Sequence, residues 1–152
     1  MGVFGTMGIE VDIKHPGDVF HKLFGSNPHK VSDFVPDHVH GCDIHEGEFG
    51  KPGSIIQWEY TLNGKKSIAR EVVEAIDEEN KMAKFRLIEG SEILKDYKSM
   101  TISLHVIPKG EYDAVMWKVD FERFEDHGPY PTDIIDFFIT MTRGIEAHHI
   151  SE

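Results

Sequence analysis

The chain has 152 residues, 39% of them hydrophobic and 28% charged, with 27 Asp plus Glu against 16 Lys plus Arg and a formal net charge of −11. This length suits a single core that buries about 70% of the unfolded surface, and the mixture is too apolar for a disordered chain and too charged for a membrane-spanning one. The acidic field repels phosphodiester backbones and anionic lipid, so neither nucleic acid nor stable membrane insertion is expected.

The lone Cys42 has no intrachain partner and no N-x-[ST] sequon occurs, which fits a cytoplasmic location. From Val3 to Ile13 the odd positions Val3, Gly5, Met7, Ile9, Val11 and Ile13 alternate with Thr6, Glu10 and Asp12. A period of two predicts a strand with one buried face. Glu10 and Asp12 also interrupt any signal-peptide core. Gly2 with Thr6 matches a loose N-myristoylation pattern, but one acyl chain without a polybasic patch anchors only marginally.

His15-Pro16-Gly17-Asp18 ends the strand, and Val19, Phe20, Leu23 and Phe24 predict a short amphipathic helix before Gly25. A second short helix fits Pro28 to Val35. Six strand-like runs come next: Val39 to His45, Ser54 to Leu62, Ser67 to Ile76, Met82 to Ile88, Tyr97 to Ile107 and Tyr112 to Phe124. The separators Asn63-Gly64, Glu79-Asn80 and Pro108-Lys109-Gly110 are tight-turn material, so consecutive antiparallel pairing is expected. Beyond Pro131, Ile134, Phe138, Met141 and Ile145 form an i, i+4, i+7, i+11 stripe. That terminal helix is apolar around much of its girth, as it would be inside a curled sheet.

Alternation puts Ile56, Trp58, Tyr60 and Leu62 on one face, joined by Ala83, Phe85 and Leu87, then Met100, Ile102, Leu104 and Val106, then Val115, Trp117, Val119 and Phe121. Phe138, Met141 and Ile145 meet them from the helix. Periodicity alone reports burial and shows no pocket. The same parity groups His40 and Cys42 with Ile44, and Lys66 and Arg70 with Ile68 and Val72. Buried charge is costly, so Lys66 and Arg70 are expected at a rim, on a carboxylate or on a polar ligand atom.

Several chemical motifs fail on spacing. Gly47-Glu48-Phe49-Gly50-Lys51-Pro52-Gly53-Ser54 is rich in glycine, but a phosphate cradle must open a helix and this segment joins two strands. The ten His residues include His38 and His40, His45 beside Glu46, and His148 beside His149. They lack H-E-x-x-H or paired C-x-x-C spacing, so no metal or cofactor is expected. Cys42 has no nucleophile signature and no G-x-S-x-G elbow occurs. Glu78-Glu79 and Glu125-Asp126 flank turns, where charge is solvated. No catalytic residue is assigned.

The order strand, two short helices, six strands and long helix, with the loop Gly47 to Ser54 after the second strand, resembles the plant major latex protein family of the Bet v 1 (pathogenesis-related, START-like) superfamily. Asn63-Gly64-Lys65, Val73-Glu74-Ala75-Ile76-Asp77, Ile88-Glu89-Gly90, Asp96-Tyr97-Lys98 and Gly144-Ile145-Glu146-Ala147-His148 carry the resemblance across essentially the whole chain. It implies one α+β domain over residues 1–152: a seven-stranded antiparallel sheet gripping the terminal helix, two short helices closing one end, and a large internal hydrophobic cavity. It further implies carriage or sensing of fatty acids, sterols, flavonoids or hormone-like molecules in plant defence and stress. The turn at Asn63-Gly64-Lys65-Lys66 and the segment Gly90 to Lys98 lack the gate and latch motifs of abscisic acid sensors, which argues against hormone-gated phosphatase inhibition.

On that reading the ligand-binding candidates are His40, Cys42, Ile56, Trp58, Tyr60, Ile68, Arg70, Phe85, Leu87, Tyr97, Met100, Ile102, Val119, Phe121, Phe138, Met141 and Ile145. Trp58, Tyr60, Phe85, Phe121, Phe138 and Met141 form the wall, His40 and Tyr97 anchor polar atoms, and Arg70 meets a carboxylate head. Burying about 300 Å² of apolar ligand contributes roughly 7 kcal/mol before ordering losses, enough for micromolar affinity. The alternative is a cavity enzyme that isomerises or condenses an alkaloid-like substrate with His40 or Tyr97 carrying the proton. A third reading is an interaction protein with a filled core and an acidic exterior.

Overall fold

A computed structural model of the chain describes residues 3–14 and 16–151. Gly2 of the acylation pattern and His15 of the first break lie outside the described residues, as does the side chain of His149.

Strand β1 (Val3–Ile13) leads to helix α1 (Asp18–Ser26), a 3₁₀ turn (Pro28–Lys30) and the short helix α2 (Val31–Phe34). Then come β2 (Val39–Glu46), β3 (Ile55–Leu62), β4 (Lys65–Asp77) and β5 (Met82–Leu87). A 3₁₀ turn (Glu92–Lys95) precedes β6 (Tyr97–Pro108) and β7 (Asp113–Arg123), and α3 (Thr132–Ser151) ends the chain. Every predicted strand is present, with ends displaced by one or two residues.

All seven strands form one antiparallel sheet in the order β1-β7-β6-β5-β4-β3-β2. Strands β2 to β7 pair with their chain neighbours, because short turns leave little other choice. Only β1 pairs out of sequence, with β7, so residues 14–38 carry the chain from one sheet edge to the other and supply the two small helices. The hairpin at Asn63-Gly64 has both residues at positive φ, +53° and +75°. That is the conformation a two-residue turn needs to match strand twist. It sets Leu62 opposite Lys65, and with that every later pair of β3 and β4.

The core lies between the inner face of the sheet and α3. Trp117 is its centre: the Phe138 ring stacks on it at 4.5 Å and 7°, and Phe24 of α1 meets it edge-on at 5.0 Å. The indole N–H donates to Thr142 Oγ1 at 2.9 Å, and the Thr142 hydroxyl donates to the Phe138 carbonyl at 2.7 Å. A buried tryptophan is thus satisfied by the helix it packs on. At the far end of α3, Glu146 accepts the Lys14 backbone N–H at 2.6 Å and Arg143 donates to the Asp12 carbonyl at 2.8 Å, which fastens the helix to β1. Among the described residues, no helix is long and apolar enough to cross a membrane.

Two expectations about strand faces are overturned. The inner face of β4 carries Ser67, Ala69, Glu71 and Val73, all buried, while Ile68, Arg70 and Val72 are half-buried on the outer face and Lys66 is exposed. The larger apolar residues misled the parity, but the hairpin register places Ala69 opposite the inward Trp58 and Glu71 opposite the inward Ile56. In β2, register shifts between Val39 and Gly41 and again between Ile44 and Glu46 break the alternation. Val39 and Cys42 are buried, whereas His40 and Ile44 are exposed. A bulge inserts one residue and reverses the facing of the residues beyond it.

Candidate functional site

Between the sheet and α3 a cavity of about 80 Å³ remains. Trp58, Tyr60 and Leu62 of β3 form one wall, with Ala69 and Glu71 of β4 beside them. Phe85, Ile102 and Trp117 make the floor from β5, β6 and β7, and Phe24 and Val39 close one end. Ile134, Phe137, Phe138 and Met141 of α3 form the roof, and Ile93 lies at the other margin. Trp58, Leu62, Ile93 and Phe137 are only half-buried, so the cavity reaches toward solvent between the β3 end and the first turns of α3. Its volume is well below the large cavity implied by the resemblance, because aromatic rings fill much of the concave face.

Six of the residues named from the sequence meet here: Trp58, Tyr60, Phe85, Ile102, Phe138 and Met141. Cys42, Ile56, Leu87, Met100, Val119, Phe121 and Ile145 share the inner side but are packed into the core without lining this space. Phe121 belongs to a separate group with Tyr97 and Tyr130, at 5.8 and 6.2 Å. Tyr97, named as a polar anchor, is therefore buried away from the cavity. Ile68 faces outward.

The other two polar anchors are also elsewhere. His40 is exposed, its Nδ1 within 3.0 Å of the Pro36 carbonyl and its Nε2 within 2.6 Å of Thr61 Oγ1. Arg70 sits on the outer face and donates through Nη2 and Nε to Gln57 Oε1, at 2.7 and 3.2 Å. It cannot meet a ligand head inside.

The acidic group that does line the cavity is Glu71, which the apolar parity of β4 places on the outer face. It is 5% exposed and accepts the Trp58 indole N–H at 2.7 Å. Burial pushes its carboxyl up to about 7, against the opposing effect of the Trp58 hydrogen bond. Desolvation outweighs one donor because a carboxylate in apolar surroundings loses many water contacts at once. The thiol of Cys42 is pushed up as well, first by burial and then by the fields of Glu71 and Asp43.

Tyr60 is the second polar group of the wall. Its residue is 7% exposed, its ring meets Phe137 edge-on at 5.7 Å, and its buried hydroxyl has no hydrogen-bond partner among the described residues. Cross-strand from it, Ser67 directs its own hydroxyl to the Lys65 carbonyl at 3.4 Å. Burial pushes the Tyr60 phenol up to about 12, with further contributions from the fields of Glu92 and Glu71. A smaller opposing one comes from the Ser67 hydroxyl acting as a donor toward the phenol oxygen, a contact too poorly aligned to count as a formed hydrogen bond. At neutral pH it is an O–H donor.

The glycine-rich loop between β2 and β3 is organised around itself. Gly47 has φ +91°, and the Glu48 N–H donates to Ser54 Oγ at 2.9 Å. Phe49 stacks on His29 of the first 3₁₀ turn at 4.5 Å and 23°. The Ser hydroxyl is engaged within the loop and a strand comes after it, the opposite of a phosphate cradle.

A model of the pathogenesis-related protein Bet v 1 family matches residues 2–152. The chain is 37% identical to MLP-like protein 31 of Arabidopsis thaliana over 150 residues, 97% of this chain and 87% of that one. The crystal structure of major latex-like protein 151 from Panax ginseng superposes with a TM-score of 0.93 at 44% identity, covering 97% of this chain and 99% of that chain. Norcoclaurine synthase from Thalictrum flavum, solved with dopamine and hydroxybenzaldehyde, has a TM-score of 0.72 at 16% identity, covering 99% and 89%. That last likeness is one of fold.

Proposed function

The chain belongs to the pathogenesis-related protein Bet v 1 family, and from that membership we propose that it binds a small apolar or amphipathic molecule between its sheet and α3 for carriage or sensing in the cytoplasm, in the defence and stress setting of the family. The observation that carries this reading is the aromatic enclosure itself. Trp58, Phe85, Trp117 and Phe138 surround space that they do not fill. An apolar void forfeits dispersion contacts on every wall, and an apolar guest restores them while leaving water.

A cavity of about 80 Å³ accepts only part of a drug-sized guest, so binding displaces the half-buried margin at Leu62, Ile93 and Phe137. This makes size a determinant of affinity. Both tryptophans of the chain, Trp58 and Trp117, line the site, so intrinsic fluorescence reports occupancy directly. Titration with isopropylbenzene and with N-phenyl-1-naphthylamine should give a saturable one-to-one change for at least one of them. No saturable change with either would end the binding reading.

Catalysis on a bound molecule is the second reading, and Glu71 is the observation in its favour. A carboxyl with its pKa near the working pH is suited to proton transfer. Turnover that Glu71→Gln abolishes while probe binding persists would favour it over carriage.

A further inference from the structure

We propose that the cavity selects an apolar ligand carrying one uncharged acceptor oxygen, which takes the hydrogen of the buried Tyr60 hydroxyl, and that Glu71 excludes ligands bearing a carboxylate. The inference rests on the binding reading and names its ligand class.

The Tyr60 hydroxyl is a buried donor that meets no acceptor at hydrogen-bonding geometry among the described residues, on the wall of a cavity, and the hydroxyl across the strand from it, that of Ser67, is turned to the Lys65 carbonyl. Leaving such a group unpaired costs stability, and an apolar wall offers it nothing. A ligand carbonyl, ether or hydroxyl oxygen supplies the missing acceptor. The wall's other polar side chain, Glu71, already holds the Trp58 N–H, which withdraws that donor from the ligand.

Charge sets the second half of the selection. Among the described lining residues there is no Lys or Arg, and Arg70 turns its guanidinium to Gln57 on the outer face. The groups whose fields reach Tyr60 are Glu71 and Glu92, both acidic; Glu92 is paired with Lys65 outside the lining at 3.5 Å, which leaves Glu71 as the uncompensated one. Above about pH 7, where Glu71 is ionised, a ligand carboxylate would be stripped of water and placed beside a like charge with no counter-ion on the cavity wall. Fatty acids in their ionised form, among the ligands first expected, are thus disfavoured.

The test uses four probes of similar size: isopropylbenzene, acetophenone, benzoate and benzylamine. Each is titrated at pH 7.5 into the wild-type chain and into Tyr60→Phe, followed by tryptophan fluorescence and calorimetry. The ratio of acetophenone to isopropylbenzene affinity should fall about five- to tenfold in Tyr60→Phe, the worth of one neutral hydrogen bond. Isopropylbenzene should bind both proteins alike and benzoate neither. An unchanged ratio, or benzoate or benzylamine binding wild type more tightly than acetophenone, overturns the proposal.

Should Tyr60→Phe not fold, the infrared carbonyl band of acetophenone bound to wild type decides. A frequency below that in alkane supports the Tyr60 bond, and an alkane-like frequency contradicts it. If isopropylbenzene and acetophenone both fail to bind, the binding reading itself is what has failed.

Discussion

Replacing Phe138 with alanine is expected to lower the unfolding free energy by about 3 to 5 kcal/mol, the range for removing a large aromatic from a packed core. Phe138 is 8% exposed and lies face to face with Trp117 at 4.5 Å. Its removal enlarges the existing cavity, because Met141 and Ile134 on α3 and Phe85 on the sheet already border that space. Surrounding rings can collapse only partly, so the loss combines lost transfer energy with residual void. Urea unfolding monitored by circular dichroism measures it. Phe137, half-buried at the margin, serves as the comparison, since Phe137→Ala should cost clearly less. A loss below about 1 kcal/mol for Phe138→Ala, well under the range for such truncations, would mean that α3 is not held through this stack.

The second large effect is a pH dependence centred on Glu71. Its carboxyl rises from an ordinary 4.5 to about 7 on folding, driven by burial. Between those two values the unfolded chain has released the proton while the folded chain still holds it. Folding therefore takes up a proton in that window, and stability falls as pH rises through it. By about one pH unit above 7 both states are ionised and the loss is complete. The rise corresponds to about 3 kcal/mol of stability lost between the two limits.

Glu71→Gln removes this titration while keeping an oxygen to accept the Trp58 N–H. The difference in unfolding free energy, wild type minus variant, should decline by about 3 kcal/mol from pH 4.5 to pH 8 and be flat above that. Contributions from the other acids and the histidines cancel in the difference. A difference independent of pH would show that Glu71 stays solvated in the folded chain.

Most of the architecture was legible because it depends on local signals that agree with one another. Alternation in Ile56 to Leu62, Met100 to Val106 and Val115 to Phe121 identifies the inner faces: all of these inward residues are buried in the core except Trp58 and Leu62, which are half-buried against it. The stripe Ile134, Phe138, Met141, Ile145 identified the buried face of α3. Hydrophobicity within a single strand is a misleading guide in β4. In β4 the outer face carries Ile68 and Val72 and the inner one Ser67 and Glu71, so apolar parity pointed the wrong way.

The correct facing of β4 was nevertheless present in the sequence. A two-residue Asn63-Gly64 turn fixes Leu62 opposite Lys65, and residues directly opposite share a face. Trp58 inward then requires Ala69 inward, and Glu71 comes two residues on. The β2 bulges had no comparable signal, and they moved His40 to the surface. The cavity volume was beyond sequence reasoning as well, since it depends on how the rings of Phe24, Trp58, Trp117 and Phe138 interlock rather than on which face they occupy.

The central claim is that the space beside α3 accepts an apolar guest. Crystals of the protein exposed to bromobenzene test it most directly, because bromine scatters anomalously and its position needs no prior assumption about the ligand. The account predicts one dominant anomalous peak bounded by Trp58, Phe85, Trp117 and Phe138. Peaks confined to other sites on the molecule, such as the surface groove lined by Phe4, Thr6, Ser99, Thr101 and Asp120, or no ordered bromine at all, would contradict it.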